Sequence, residues 1–353
     1  MWAAGAILRQ SQACTRSHTW RKPSQMSRPE PARRRLCMAA LVASAGVGYP
    51  LPSTARQLDI TVVQPNTRLA SLPFLLARDR GWFRELAGLN IRGFIGSSGG
   101  GGATLRNALA ADLPYGEVSL PAAIAALAQG VELSIVHGGV QTLADQVWVA
   151  RAGAPRISVP ADLVGRKIGI SAAGSLGDMV SEAMIDSAGL AGKVERKVVG
   201  SGKAALSALS EGVIDIAMLA EPAPTRSRDL VRPLWSAADV FGPCMQTVGI
   251  ARTDWLLKNG ATMQGIIAAR RRGVQLIRAE PAHAALLMSS EYGVEPAQAL
   301  ALVERMLRNS PLWSDGAFHE AGMQAMQKGL QRIGALPGAA SDWRRAVRAD
   351  YLG

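Results

Sequence analysis

Residues 96–102 read Gly-Ser-Ser-Gly-Gly-Gly-Gly, between an apolar run (Leu89, Ile91, Phe94, Ile95) and a helix-like stretch at 104–112. Glycines let a backbone turn tightly and leave several amide N–H groups facing outward, and the first turn of the helix that follows adds partial positive charge. Such a segment can hold an anionic or polar group, or act only as a flexible connector; the glycines alone do not choose between these. A related device, Ser-Ala-Ala-Gly-Ser at 171–175, again stands between an apolar run and a helix-like stretch. The candidate ligand contacts are accordingly Gln64, Asn66 and Thr67; Ser97, Ser98, Gly99, Gly100 and Gly101; Ser119; Ser171 and Ser175; and Glu221. Most are small, hydroxylic or amide groups, which converge on a small molecule without supplying a nucleophile or a base. Each has a structural alternative: Asn66 and Thr67 as turn caps before Leu72, Ser175 as the cap of its own helix, Glu221 as half of a hinge salt bridge. If Glu221 does line the site, it selects an amine or a ring N–H.

The chemistry that is missing is equally informative. After residue 55 the only cysteine is Cys244, and the histidines 137, 283 and 319 have no metal-ligand spacing. No His/Asp partner for a nucleophilic serine is visible. No catalytic residue, metal or cofactor is therefore expected. His137 closes an apolar run and reads as hydrogen-bonded in place, and Trp82, Trp148 and Trp235 read as core rather than stacking platforms. The run Arg270-Arg271-Arg272 reads as a solvated helix face, and without interleaved aromatics it does not suggest nucleic acid.

The formal charge of +12 is concentrated at the start of the chain: eight basic residues against Glu30 in residues 1–55 leave +5 for the rest. Arg33-Arg34-Arg35, the apolar stretch 36–49 and Ser53-Thr54-Ala55 have the layout of a cleaved export signal cut after Ala55. The paired arginines hint at twin-arginine export, and Met26 is a plausible start. The mature chain is expected to be a periplasmic, monomeric protein.

These loops need elements to position them. Residues 59–64, 89–95, 117–120 and 134–136 read as strands and 72–83, 104–112 and 121–129 as helices, an alternation that implies βαβ units. After residues 146–151 a second set begins, with strands at 167–170, 195–199 and 214–219 and helices at 175–189 and 203–210. Residues 248–252 echo 147–151, as if the chain crossed back between two bodies. The remainder reads as helical, with Ala299, Leu302, Val303, Met306 and Leu307 along one side. The expected fold class is α/β: two Rossmann-like lobes joined by two hinge strands, with a helical C-terminal region. One lobe comprises 56–150 and 246–353, the other 151–245. Ligands in such sheets sit beyond the carboxyl ends of the strands, and hinge closure captures them.

The Ser-Gly loop after the second strand, the segment 208–217 (Ala-Leu-Ser-Glu-Gly-Val-Ile-Asp-Ile-Ala) and the following Glu221-Pro222 resemble the substrate-binding proteins of nitrate, sulfonate and taurine type ABC importers. Binders of thiamine pyrimidine precursors belong to the same broad family. The resemblance spans roughly residues 58–334. It implies a type II periplasmic binding protein fold, a small-molecule ligand between the lobes, and an ABC permease with its ATPase as partner. It departs at 110–119 and in the four consecutive glycines, both on the expected ligand side. A ligand-sensing receptor and a small-molecule enzyme are the alternatives on the same fold.

Overall fold

The computed structural model describes residues 57–353, apart from 66, 98, 309–310 and 337–341. The export signal expected before residue 56 lies outside the described residues, as do the candidate contacts Asn66 and Ser98.

In chain order the strands are β1 (Gln57–Val62), β2 (Asn90–Ile95), β3 (Tyr115–Ser119), β4 (Leu133–Gly138), β5 (Gln146–Arg151), β6 (Lys167–Ile170), β7 (Glu195–Val198), β8 (Ile216–Ala220), β9 (Val231–Ser236) and β10 (Thr247–Arg252). They form two five-stranded sheets, ordered β2-β1-β3-β10-β4 and β7-β6-β8-β5-β9. In the first, β1 runs parallel to β2 and β3, while β10 runs antiparallel to β3 and β4. In the second, β6 runs parallel to β7 and β8, while β5 runs antiparallel to β8 and β9. Both sheets therefore follow one plan, with a single reversed strand in the fourth place. The sequence reading assigned 146–150 to the first lobe; β5 is instead a strand of the second sheet, so the outgoing linker is 139–145 and the returning one lies between β9 and β10.

The helices are α1 (Leu72–Asp79), α2 (Trp82–Ala87), α3 (Gly100–Ala110), α4 (Leu120–Ala128), α5 (Leu176–Ser187), α6 (Lys203–Ser210), α7 (Ala223–Arg226), α8 (Thr253–Leu256), α9 (Gly260–Ala279), α10 (Pro281–Tyr292), α11 (Pro296–Leu307) and α12 (Glu320–Arg332). One helix over 72–83 was expected; the chain forms two, because Gly81 at φ 71° ends α1 and starts α2. Pro73 and Pro121 occupy the first turns of α1 and α4, where no N–H is required.

The central strand β3 and the edge strand β4 of the first sheet are buried along nearly their whole length, as expected of strands covered on both faces. Helices α1, α2 and α9 cover one side of the first sheet. The close approach of α9 depends on glycine: a Cβ at Gly273 would stand 2.2 Å from the Pro73 carbonyl oxygen of α1. The helix α12 packs against both α4 and α5. Its Met323, Met326 and Leu330 join Ile124 of the first half to Met179 and Met184 of the second in one apolar core. The arginine run lies on α9 and is a solvated face only in part. Arg270 is buried against Glu117, Arg271 donates to the carbonyls of Asp315 and Leu352, and Arg272 pairs with Glu85.

Candidate functional site

The carboxyl ends of the parallel strands from the two sheets meet. Gln64, two residues past β1, adopts φ 44° and its Nε2 donates to Ser201 Oγ, past β7, at 3.3 Å. Thr67 is exposed and spends its hydroxyl on the Gln64 carbonyl at 2.9 Å, closing the turn.

The glycine segment is only half a loop. Residues 96–99 form the turn, and Gly100, Gly101 and Gly102 are the first turn of α3 with Gly99 as its N-cap. The low helix propensity of glycine hid this start from the sequence, which placed it at 104. Ser97 Oγ accepts from the Gly99 N–H at 3.0 Å, so this hydroxyl and this amide are spent on each other. Gly101 lies against the corner between β3 and α4: a Cβ there would come within 3.0 Å of Ser119 Cβ and 3.2 Å of Ala122 Cβ. Gly101 thus adjoins Ser119 at the end of β3, while Ser97 and Gly100 are half-buried and Gly99 is exposed past the end of β2.

In the second sheet Ser171 follows β6 next to the end of β7, since the Val199 N–H donates to the Ile170 carbonyl at 3.0 Å. Ser175 Oγ accepts from the Asp178 N–H at 3.2 Å, and the Asp178 carboxylate accepts from Gly174 N–H at 2.9 Å. Ser175 is thereby the N-cap of α5. Glu221 is 3% exposed and its carboxylate is occupied: one oxygen pairs with Arg305 of α11, the other accepts from the Thr225 hydroxyl at 2.8 Å. The hinge salt bridge is the form the chain adopts here.

The polar core of this region lies outside the residues expected from the sequence. Arg68 ends the turn after β1, and its Nη2 donates to Gln246 Oε1. Gln246 Nε2 donates to Asp145 Oδ1 at 2.8 Å and to the Thr142 carbonyl at 3.0 Å, and Gln146 Nε2 donates to Asp145 Oδ2 at 3.1 Å. The backbone extends the chain of bonds, from Leu120 N–H to the Gln246 carbonyl at 3.0 Å and from Glu221 N–H to the Asp145 carbonyl at 2.8 Å. One network therefore joins the ends of β3 and β8 through both linkers. Burial raises the Asp145 pKa, with Arg68 pulling it back, and burial lowers that of Arg68, with Asp145 opposing. Arg68 and Asp145 stand 3.7 Å apart, beyond hydrogen-bond contact, and Arg68 Nε is buried with no partner among the described residues. A half-satisfied guanidinium in a dry site is a strong donor for an incoming anion. The nearest sequence signal is the Arg-Leu that follows Gln-Pro-Asn-Thr, which locally reads as a surface turn.

His137 lies in the first sheet, not at the site. Its Nε2 shares a hydrogen bond with the Tyr115 hydroxyl at 2.7 Å and its Nδ1 lies 2.9 Å from the Gly138 carbonyl oxygen. Burial and nearby Arg270 lower its pKa to about 3, so the ring is neutral. Among the described residues no group of histidine, cysteine and carboxylate side chains could hold a metal, and no helix is long and apolar enough to cross a membrane. Trp148 is fully buried in the core, while Trp82 and Trp235 are half-buried. A groove of about 790 Å3 does open on the linkers, but none of the ten described candidate residues lines it.

A family model described as NMT1/THI5 like matches residues 69–284. No curated protein sequence matches the chain. Among solved structures, the periplasmic aliphatic sulphonate binding protein SsuA from Escherichia coli superposes with a TM-score of 0.67 at 18% identity, covering 83% of this chain and 92% of that one. The alkanesulfonate-binding protein SsuA from Xanthomonas axonopodis pv. citri, bound to MOPS, gives 0.68 at 15% identity, with 84% and 100% covered. The periplasmic nitrate-binding protein NrtA from Synechocystis PCC 6803 gives 0.69 at 12% identity, with 84% and 87% covered. At these identities the likeness establishes the fold: two α/β halves of periplasmic binding protein type.

Proposed function

The chain belongs to the NMT1/THI5 like family, and from that premise we propose that it is the extracytoplasmic solute-binding component of an ABC importer. It captures a small anion between its two sheets and delivers it to a permease driven by an ATPase. Export with cleavage after Ala55 accords with that role, as does the periplasmic place of the sulfonate and nitrate binders whose fold it shares.

The observation that carries this reading is Arg68, whose buried Nε lacks an acceptor among the described residues, where the strand ends of both sheets converge. An oxyanion there would complete the guanidinium, with the half-buried Ser119 and Ser171 and the amides at the start of α3 as further donors. Glu221, held by Arg305 and Thr225, is taken out of ligand recognition. This removes the argument for an amine and favours sulfonate, nitrate or carboxylate over an aminopyrimidine. Closure would replace water around the anion with donors from both sheets, a binding cycle without turnover.

A thermal-shift panel of alkanesulfonates, nitrate, aromatic acids and aminopyrimidines tests this. A ligand at a hundred times its dissociation constant adds about 2.7 kcal/mol. At least one anion should raise the melting temperature of the wild type, be recovered unaltered, and lose its effect in Arg68→Ala. Stabilisation by aminopyrimidines alone, or turnover of the bound compound, would sink the reading.

A further inference from the structure

The cleft leaves unused the groove of about 790 Å3 on the linkers. Thr142 of the outgoing linker and Phe241 of the returning one line it, together with Trp235, Arg305, Arg308 and His319. The Trp235 indole N–H is shielded from solvent and has no acceptor among the described residues. Arg308, just past α11, is exposed, as is His319. Against the guanidinium groups of Arg308 and Arg305, the latter already paired with Glu221, stands one acidic lining residue among the described residues, Asp239, whose carboxylate already accepts from the Ser236 N–H at 3.1 Å. Trp235 and Phe241 supply flat apolar faces, which favour an aromatic ring, and the arginines supply the charge that such a ring would need to carry in opposite sign.

We propose that this groove is a second small-molecule site, separate from the cleft, for an aromatic anion: its ring against Trp235 and Phe241, its carboxylate or sulfonate on Arg308 and Arg305. The site has a direct line to the cleft. Arg305 is also the partner of Glu221, and the Thr142 carbonyl accepts from Gln246 of the network that holds Arg68. An occupant that draws Arg305 toward itself loosens the contact between α11 and the second sheet.

Calorimetric titration of the full chain with 2-naphthoate, and with 2-naphthalenemethanol as its neutral analogue, decides the matter. The expected result is saturable binding of the naphthoate that persists in Arg68→Ala. It should weaken at least about tenfold in Arg308→Gln and for the alcohol, the effect of removing one charged hydrogen bond. Arg308 is exposed, so its substitution leaves the fold standing, which a melting curve verifies. No saturable naphthoate binding at millimolar concentration would overturn the proposal. Equal affinity for the alcohol would reduce the groove to an apolar surface and also overturn it. Loss of binding in Arg68→Ala with retention in Arg308→Gln would place the probe in the cleft, again against the proposal. Failure here leaves the cleft reading intact, because that reading stands on the response of anions to Arg68→Ala.

Discussion

Glu117 on β3 and Arg270 on α9 meet at 2.7 Å with each side chain 1% exposed, although 153 positions separate them. The carboxylate also accepts from the Thr247 hydroxyl at 2.6 Å, which itself accepts from the Val140 N–H at 2.6 Å. Arg270 further donates to the Ser314 carbonyl at 2.7 Å and lies over the Phe74 ring. One buried ion pair thus fastens the C-terminal helices, the start of β10 and the outgoing linker to the centre of the first sheet.

Removing one partner of such a pair strands a charge in a dry interior, at a cost of about 3–5 kcal/mol. Arg270→Met should therefore lower the unfolding free energy by about that amount in urea titration. Adding Glu117→Gln to it should recover part of the loss, since the stranded charge is gone. A double variant less stable than Arg270→Met would refute this account.

His137 gives the chain an acid sensitivity of calculable sign. Its folded pKa of about 3 lies below the ordinary histidine value, so below about pH 6.5 the unfolded chain takes up a proton that the folded one refuses. Stability present above pH 6.5 is then lost as the pH falls, by about 2 kcal/mol at pH 5 from this residue alone. His137→Gln should flatten the profile between those values in denaturant melts, and an unchanged slope would point to other groups.

Gly101 and Gly102 are neighbours with opposite expected responses. Valine at 101 must push α3 away from Ser119 and Ala122, costing about 1–3 kcal/mol and displacing the start of the helix. At 102 the nearest atom to an added Cβ is the flexible end of Arg106, at 3.7 Å. Alanine there should stabilise the helix, by up to about 1 kcal/mol. Melting curves of the two variants test the pair; a destabilised Gly102→Ala would mean that residue 102 is not the helical position described.

The pair of Glu221 with Arg305 ties the second sheet to α11 at a half-exposed site. Glu221 is 3% exposed, so Arg305→Met leaves a buried carboxylate with the Thr225 hydroxyl in place of a cation and should lower the melting temperature, with a loss of about 1–3 kcal/mol of stability. It should also increase the radius of gyration of the unliganded chain in X-ray scattering. A constant radius would assign closure to the remaining bonds across the halves, Gln64 with Ser201 and Arg226 with the Tyr292 carbonyl.

The strands were legible because apolar, β-branched runs alternate with helical ones, and the boundaries of β5, β6 and α6 follow the local pattern directly. The start of α3 was not, because three glycines argue locally against the helix that tertiary packing imposes. Arg68, Asp145, Gln146 and Gln246 were not legible either. Gln246 lies 178 positions from Arg68, and each residue alone has the polarity of an ordinary loop. The same distance hid Arg270, which next to Arg271 and Arg272 reads as surface until Glu117 is placed beneath it. The Glu221 salt bridge was open to the sequence only as one of two choices, since nothing local identifies Arg305.

The strand order has a consequence for synthesis. All five strands of the second sheet lie in one unbroken stretch, from β5 to β9, whereas the first is interrupted between β4 and β10. On the ribosome the later-made sheet can therefore be finished first, while β3 and β4 wait with a slot between them. Until β10 emerges both present bare inner edges, the kind of template on which nascent chains stick to one another. A chaperone that holds the polypeptide through this interval would be needed most just before residue 247 leaves the exit tunnel.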